Sequence, residues 1–267
     1  MANDLSKYIL ITDLDGTLLT TDKKINISDL DAIKDFAAMG GYFSVATGRV
    51  YDSALPYIRQ LPVNAPCILF NGGMVYDYDT EKILWKSVLP QSSRKYAAEI
   101  LNEFSSLGAE IIIDKKIYVP QFNDILREKL KIENVAHIEC EIDEIPGGWV
   151  KILFTMDENQ KSEITEFLHN KNYADVKFVE SFGYYYEMLP YGVSKGAAIR
   201  KMLDISGLGD KIVVTAGDYN NDIEMIEMAD MGACVADAAS GLKEKCDIIL
   251  NKTSDEGAIA ELIDIIF

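Results

Sequence analysis

Short, uninterrupted apolar runs rich in β-branched residues mark both ends of the chain. Four of them are Tyr8–Thr12, Tyr42–Ala46, Cys67–Phe70 and Lys211–Ala216. Such runs are typical of parallel strands that are buried on both faces of a sheet. Segments with helical periodicity separate them, and the first of these begins after Ser28, its expected N-cap, and closes at Gly40–Gly41. The alternation predicts an α/β fold with a doubly wound, mostly parallel sheet.

The pattern changes between Leu84 and Leu189, where the apolar runs are longer, more aromatic and partly alternating. Strands are predicted here at Glu110–Ile113, Ile117–Pro120, Val150–Thr155 and Lys177–Phe182, and helices at Ser92–Leu107 and near Glu158–Lys171. Mixed strands and helices with turn signals between them indicate an α+β domain. We therefore assign residues 1–83 and 190–267 to a doubly wound core, and residues 84–189 to an inserted α+β cap domain.

Composition and charge exclude several classes of protein. The chain has 267 residues and a formal net charge of −17, which argues against nucleic acid and anionic membranes as partners. Its four cysteines are scattered singly, as in a reducing compartment. The N-terminal stretch lacks the basic and apolar regions of a signal peptide, and no run is long enough for a transmembrane helix. We expect a cytoplasmic protein, either a monomer or a small homo-oligomer.

The segment Asp13–Thr17 (DLDGT) directly follows the first apolar run. Residues two apart in an extended chain point the same way, so the carboxylates of Asp13 and Asp15 are expected to share a face. Two neighbouring carboxylates repel each other unless a cation lies between them, which favours a magnesium site. One carboxylate can also attack a phosphoryl group while the other handles protons. Taken alone, the segment also fits a strand-end turn with solvated acids.

A second acidic segment, Gly217–Asp222 (GDYNND), follows the run Lys211–Ala216. Asp218 lies at the strand end, and Asp222 lies four residues later, on the same side one helical turn on. These acids could serve only as helix caps. At the carboxyl end of a strand, however, two carboxylates and an asparagine also suit a hard cation.

Two further segments carry groups suited to an anion. Thr47, Gly48 and Arg49 follow the second run, and a hydroxyl with backbone N–H groups at such a turn can hold phosphate oxygens. Lys195 follows Ser194, which can cap a helix, so the lysine falls in the first turn, where the helix dipole disfavours a cation. An anion facing Lys195 would explain that position. The alternatives are an ordinary strand-to-helix turn and a solvated surface lysine.

Active sites of open parallel sheets form beyond the carboxyl ends of the strands, where these segments converge. In this order, DLDGT, ATGR, GVSKG and GDYNND resemble the motifs of the haloacid dehalogenase-like phosphohydrolases. The large insert resembles that of the Cof-type subfamily with an α/β cap. The tail at residues 253–258 is similar to the usual ending of the family, so the resemblance covers essentially the whole chain.

The resemblance implies a Mg²⁺-dependent phosphatase for small phosphorylated metabolites that forms an aspartyl-phosphate on Asp13. Asp15 is implied to protonate the leaving group and then activate water, and Thr47 and Lys195 to hold the phosphoryl group. Metal contacts are implied for Asp13, the Asp15 carbonyl, Asp218 and Asp222. Phosphate or substrate contacts are implied for Leu14, Gly48, Arg49, Asn71, Gly72 and Asn221, and Asn221 is also implied to orient the metal shell.

Two positions depart from the family pattern. Tyr219 stands where a small or flexible residue is common, and Asp237 stands where an asparagine–alanine pair is usual. Neither His137 nor His169 has a metal-ligand partner at suitable spacing, so both are interpreted as structural or surface residues. Two other functions stay open: a phosphotransferase or mutase that uses the same intermediate, and a non-enzymatic sensor of phosphorylated metabolites.

Overall fold

The computed structural model of the protein describes residues 4–171, 173–180 and 185–267. The described residues divide into two compact units, the first made of residues 4–49, 54–85 and 194–267, and the second of residues 50–53 and those between 86 and 193. The sequence had placed residues 50–53 with the core. The assignment of residues 1–83 and 190–267 to a core and of residues 84–189 to a cap domain stays a prediction.

Strands and helices alternate along most of the chain. The strands are β1 Tyr8–Thr12, β2 Tyr42–Val45, β3 Cys67–Leu69, β4 Met74–Asp77, β5 Lys82–Lys86, β6 Gly108–Ile113, β7 Lys116–Gln121, β8 His137–Glu139, β9 Lys151–Thr155, β10 Val176–Glu180, β11 Tyr185–Pro190, β12 Ile212–Gly217, β13 Met231–Cys234 and β14 Ile248–Ile249. The α-helices are α1 Ile27–Ala38, α2 Tyr51–Ile58, α3 Ser92–Glu103, α4 Asp124–Glu133, α5 Lys161–Lys171, α6 Lys195–Ser206, α7 Ile223–Met228, α8 Ser240–Lys243 and α9 Ala258–Ile266. Short 3₁₀ turns lie at Phe70–Gly72, Ile142–Glu144, Glu158–Gln160, Asn220–Asp222 and Ser254–Glu256.

The first unit is built on a parallel sheet with the strand order β14-β13-β12-β1-β2. Ile9 and Ile11 face an apolar cluster that includes Ile199 and Met202 of α6. Leu10, which alternates with them, is also fully buried, as expected for a strand covered on both faces. The predicted doubly wound parallel sheet is therefore confirmed.

The run Cys67–Phe70 behaves differently from the other predicted core strands. Its strand, β3, belongs to a separate three-stranded sheet, β3-β4-β5, and pairs antiparallel with β4. A single bridge between Ala46 and Ile68 links it to the parallel sheet. The run is buried because Ile68 belongs to the apolar cluster of the first unit, together with Val75 of β4. Burial alone therefore could not indicate which sheet the run joins.

The first helix begins two residues earlier than the sequence indicated. The N-cap of α1 is Asn26, whose Oδ1 accepts a hydrogen bond from the Ser28 backbone N–H at 3.0 Å. The prediction that Ser28 caps this helix is therefore wrong. Asparagine and serine both favour the N-cap position. The sequence pattern alone therefore could not distinguish Asn26 from Ser28 as the cap.

The second unit contains a six-stranded sheet with the order β10-β11-β9-β6-β7-β8, antiparallel except for the β7–β8 pair. One face carries an apolar cluster that includes Ile111, Ile152 and Met188, together with Ile100 of α3 and Ile164 of α5. The predicted α+β insert is confirmed. The last two residues of the predicted strand at 177–182 lie outside the described residues.

The opposite face of this sheet carries buried charges. Glu110, which is 1% exposed, accepts hydrogen bonds from Lys129 of α4 at 3.0 and 3.1 Å. Lys151 and Glu187 form a second buried pair, at 2.7 Å. Buried ion pairs lose their hydration, so each partner depends on the other for compensation.

Within the described ranges, no helix combines the length and apolar character required to cross a bilayer.

Candidate active site

Three predicted segments meet because their strands are neighbours in the parallel sheet. Thr12, the last residue of β1, pairs with Ala216 of β12 on one side and with Val45 of β2 on the other. The chain therefore delivers Asp13, Thr47 and Asp218 to the same edge. The backbone N–H of Asp13 donates to the Ala216 carbonyl at 2.9 Å, which fixes the start of the DLDGT segment against β12.

Lys195 supplies a buried positive charge at this edge. Its side chain is fully buried, and its ammonium lies 2.8 Å from Asp13 Oδ1 and 2.6 Å from Asp222 Oδ1. Burial acts to lower the pKa of Lys195, but the two carboxylates outweigh it and raise the pKa, so the group stays cationic. Ser194 caps α6 by accepting from the Ala197 N–H, which confirms its predicted role and sets the lysine in the first turn.

Asp218 lies beside Asp13, and its carboxylate oxygens lie close to those of Asp13 and Asp222. Its Oδ1 accepts a hydrogen bond from the Thr17 hydroxyl at 3.1 Å. Gly16 makes this approach possible, because it has a φ of +83° and a Cβ there would lie 2.4 Å from Asp218 Oδ2. Burial, followed by the charges of Asp13 and Asp222, raises the pKa of Asp218. Burial raises the pKa of Asp13 as well, against the opposing effect of Lys195.

The acidic side chains fit a hard divalent cation. Asp13, Asp218 and Asp222 each offer a carboxylate oxygen, and these atoms lie within 4.8 Å of one another. With all three ionised, Lys195 leaves two negative charges uncompensated. Burial and, after it, the neighbouring charges raise the pKa values of Asp13 and Asp218. A cation with two charges would relieve the repulsion among the three carboxylates. Carboxylate oxygens are the ligands that Mg²⁺ prefers, so this donor set suits the predicted ion.

The carboxylate of Asp15 has different neighbours. Arg49 contacts it through two bonds, Nε to Oδ2 at 2.6 Å and Nη2 to Oδ1 at 2.8 Å, and Lys23 Nζ lies 2.7 Å from Oδ1. Burial acts to raise the pKa of Asp15, but these two cations lower it to about 2. The expected pairing of the Asp13 and Asp15 side chains at one metal site is thus not observed. The Asp15 side chain is held by Arg49 and Lys23, which leaves its backbone carbonyl for the metal contact that the resemblance implies.

A strained loop supports Thr47. Phe70 and Asn71 adopt φ values of 56° and 55°, followed by Gly72 at 101°. A Cβ at Gly72 would lie 2.1 Å from the Ser194 carbonyl oxygen, so glycine allows this loop to approach the start of α6. The Asn71 N–H donates to the Thr47 carbonyl at 3.0 Å. Left-handed backbone at residues other than glycine is costly and concentrates at functional sites.

The remaining predicted site residues have clear locations. Asn221 Nδ2 donates to Asn71 Oδ1 at 3.1 Å, and a Cβ at Gly48 would lie 3.0 Å from that same oxygen, so the three residues are neighbours. The Leu14 side chain is fully buried, which leaves only its backbone for a phosphate contact. Tyr219, in contrast, is 36% exposed.

Two residues of the site were missed. Thr17 stood inside the DLDGT segment, where its hydroxyl was a visible donor. Lys23 had no comparable signal, because it lies in an irregular stretch between β1 and α1. His137 and His169 are exposed on the second unit, which agrees with their interpretation as surface residues.

Known proteins with similar sequences are named phosphatases. The pyridoxal phosphate phosphatase YbhA of Escherichia coli (strain K12) is 24% identical, over 97% of this chain and 98% of its own. A 5-amino-6-(5-phospho-D-ribitylamino)uracil phosphatase of Bacillus subtilis (strain 168), YwtE, is 27% identical, over 94% of this chain and 95% of its own.

The fold and the family agree with these sequence similarities. A haloacid dehalogenase-like hydrolase from Bacteroides thetaiotaomicron has a structure that superposes with a TM-score of 0.85, at 23% identity over 97% of this chain and 99% of that one. Residues 10–263 match the haloacid dehalogenase-like hydrolase family. The chain therefore belongs to this family of hydrolases, as the order of its four motifs implied.

Proposed function

We propose that this protein is a magnesium-dependent phosphatase that hydrolyses small phosphomonoesters through a phosphorylated Asp13. The observation that carries the proposal is the surroundings of Asp13. Asp13 is 5% exposed, and its carboxylate contacts the buried Lys195 ammonium within a group of three carboxylates suited to a divalent cation. A nucleophile that attacks a phosphoryl dianion needs positive charge nearby, which Lys195 and a bound divalent cation would supply together.

In the first half of the reaction, an Asp13 oxygen forms a bond to phosphorus, and the bond from phosphorus to the substrate oxygen breaks. Asp15 takes up a proton as the substrate binds, against the effect of Arg49 and Lys23 on its pKa. It gives that proton to the leaving oxygen, which departs as an alcohol. In the second half, water attacks phosphorus, gives its proton to Asp15 and displaces Asp13. Inorganic phosphate leaves, and both carboxyl groups return to their starting forms.

The surrounding side chains hold the phosphoryl group during both halves. Lys195 donates N–H bonds from a fully buried position, where its charge is poorly screened. The Thr47 hydroxyl accepts from the Arg49 N–H at 3.1 Å, which orients its own proton toward an acceptor such as a phosphoryl oxygen. The bound Mg²⁺, held by Asp13, Asp218 and Asp222, would offset the charge on phosphate oxygens.

The substrate class follows from the relatives. Their names specify a pyridoxal phosphate and a phosphoribitylamino uracil as substrates, and a structural neighbour is named a sugar phosphatase. We therefore propose a phosphorylated metabolite of similar size. We further propose that the second unit, which contains none of the predicted site residues, supplies substrate specificity as a cap domain.

The test is phosphate release from a panel of pyridoxal 5′-phosphate, sugar phosphates and glycerol phosphate, with Mg²⁺ and with EDTA. We expect release only with the metal, and Asp13→Asn should abolish it. Asp35→Asn, at an exposed position of α1, is the matched control and should release phosphate as the wild type does. Full activity of Asp13→Asn would overturn the proposal.

Two results would redirect the assignment. Transfer of phosphate to another sugar hydroxyl, with no inorganic phosphate formed, would indicate a phosphotransferase. Tight binding of a panel member without turnover would indicate a sensor. Borohydride trapping adds an independent readout, because reduction of an aspartyl-phosphate converts Asp13 to homoserine, which mass spectrometry detects.

A further inference from the structure

A turn between β1 and α1 lies directly beside Asp15. We call residues Leu19–Ile25 the flap turn; single bridges join Leu19 to Asp15 and to Ile25. Inside it, the Thr20 N–H donates to the Lys24 carbonyl and the Lys23 N–H donates to the Thr20 carbonyl, both at 2.8 Å. Lys23 adopts a φ of 57°, and its ammonium reaches Asp15 Oδ1.

Two cations from different parts of the chain thus hold one carboxylate. The Arg49 guanidinium lies in a bidentate arrangement across both Asp15 oxygens, and Lys23 adds a third contact on Oδ1. Arg49 is itself fixed, because its guanidinium lies 4.7 Å from the centre of the Tyr57 ring. A carboxylate that accepts three such bonds has little freedom to rotate about its side-chain torsions.

The flap turn is anchored to the C-terminal segment. Asp255 Oδ1 accepts the Thr21 N–H at 2.8 Å, and the Thr21 hydroxyl lies 3.2 and 3.1 Å from the two Asp255 oxygens. Asn26 Nδ2, at the other end of the turn, donates to the Asp255 carbonyl at 2.8 Å. A residue near the end of the chain therefore fixes the turn that presents Lys23.

Stability alone does not account for this arrangement. The Lys23 side chain is 53% exposed and that of Asp15 is 37% exposed, and ion pairs of that exposure contribute little to folding. The left-handed backbone of Lys23 is also unfavourable for a residue with a side chain. An unfavourable conformation that brings an exposed ammonium onto one carboxylate indicates that the orientation of the carboxylate matters.

We propose that Lys23 is a positioning residue for Asp15, and that Thr21 and Asp255 hold Lys23 in place. The inference rests on the proposed function, in which Asp15 passes a proton to the leaving oxygen and later takes one from water. Proton transfer requires the carboxyl oxygen within hydrogen-bond reach of its partner and aligned with it. Lys23 exchanges no proton and forms no bond to substrate; it reduces the range of orientations that Asp15 samples.

The test measures the two halves of the reaction separately with p-nitrophenyl phosphate. The p-nitrophenolate leaving group departs without protonation, so formation of the phosphoenzyme depends little on Asp15. The attack of water on the phosphoenzyme, in contrast, depends fully on Asp15 as the proton acceptor. We expect Lys23→Met to slow the decay of labelled phosphoenzyme roughly tenfold, with a much smaller change in its formation. Phosphoenzyme should accumulate at steady state. A general structural defect would lower both rates together and leave their ratio unchanged.

Matched variants separate position from charge and from folding. Lys24→Met changes the adjacent exposed lysine, which in the described part of the chain contacts neither Asp15 oxygen, and should leave both rates within about twofold of wild type. Lys23→Arg should retain most of the decay rate. Asp255→Ala should slow decay in the same way, and combining it with Lys23→Met should add little, since both act through one contact.

Asp15→Asn tells the two proposals apart. If it slows decay by roughly a hundredfold or more while Lys23→Met decays as the wild type does, the positioning role is wrong and the proposed function stands. If Asp15→Asn itself decays at the wild-type rate, the role of Asp15 in the proposed function fails. Slow decay in both variants, with normal decay in Lys24→Met, supports the positioning role.

Discussion

Asp29 is a buried carboxylate that makes stability depend on pH. It lies in α1 and is fully buried, and its Oδ1 accepts the Ala260 N–H at 2.7 Å in the first turn of α9. Its Oδ2 has no hydrogen-bond partner among the described residues. Burial raises the pKa of Asp29 from 3.8 to about 6, although the backbone N–H groups of Ala260 and Ile259 act to lower it. We expect Asp29→Asn to remove this pH dependence.

The direction follows from proton binding. The folded protein holds a proton on Asp29 more tightly than the unfolded chain does, because the folded pKa is the higher one. The stability linked to this group is fully present below the unfolded pKa of 3.8 and is lost as the pH rises through the folded pKa of about 6. The difference corresponds to roughly 3 kcal/mol. Asparagine keeps the acceptor for Ala260 and carries no charge, so its contribution does not change with pH.

Urea unfolding of the wild type and Asp29→Asn, at several values between about pH 4 and about pH 7, measures this difference. The free energy of unfolding of the variant should gain roughly 2–3 kcal/mol on the wild type across that range. Asp31→Asn, at an exposed position of the same helix, is the control and should show a constant offset. Parallel curves for wild type and Asp29→Asn would refute the assignment of a raised pKa to this group.

Three further predictions concern the site and the second unit. Gly16→Ala places a Cβ 2.4 Å from Asp218 Oδ2 at a φ of +83°, and calorimetry should show Mg²⁺ affinity reduced by roughly 10- to 100-fold. Burial and neighbouring carboxylates raise the pKa values of Asp13 and Asp218, so Mg²⁺ must displace protons when it binds. The Mg²⁺ affinity should therefore rise between about pH 6 and about pH 8, and equal affinities at both pH values would contradict this. Lys129→Met leaves Glu110 buried at 1% exposure and should lower the free energy of unfolding by roughly 3–5 kcal/mol. Denaturant unfolding should show part of that loss restored when Glu110→Gln is added.

The parallel core could be predicted because its sequence signal is strong. Runs such as Tyr8–Thr12 are short, apolar and β-branched, and β1 has the bounds that the run indicated. The alternation of these runs with helical segments fixes the fold class, and the carboxyl ends of neighbouring parallel strands share one edge. The convergence of Asp13, Thr47 and Asp218 on that edge therefore followed from topology before any distance was known.

The parts that were not predicted depend on contacts between distant segments. Strands β4 and β5 are short, with four and five residues, so their periodic signals are weak and their conformations are stabilised by the sheet to which they belong. Helix α4 was overlooked although its buried residues Leu126 and Leu130 repeat at helical spacing. The flap turn is a stronger example. Its anchor joins Thr21 to Asp255, which lies 234 positions away along the chain. Neither the local propensity nor the charge of Lys23 indicates that its ammonium reaches Asp15.

Asp13 and Asp15 show why residue type and spacing cannot assign chemistry by themselves. They are the same residue two positions apart, yet burial raises the pKa of Asp13, while Arg49 and Lys23 lower that of Asp15 to about 2. The surroundings of Asp13, with one ammonium and two further carboxylates, suit a nucleophile at a metal. The surroundings of Asp15, with three N–H donors on two oxygens, suit a carboxylate that must be held in one orientation. Under the proposed function, the division of labour between nucleophile and acid–base group would therefore be set by neighbours that come from the loop after β2, the start of α6 and the flap turn.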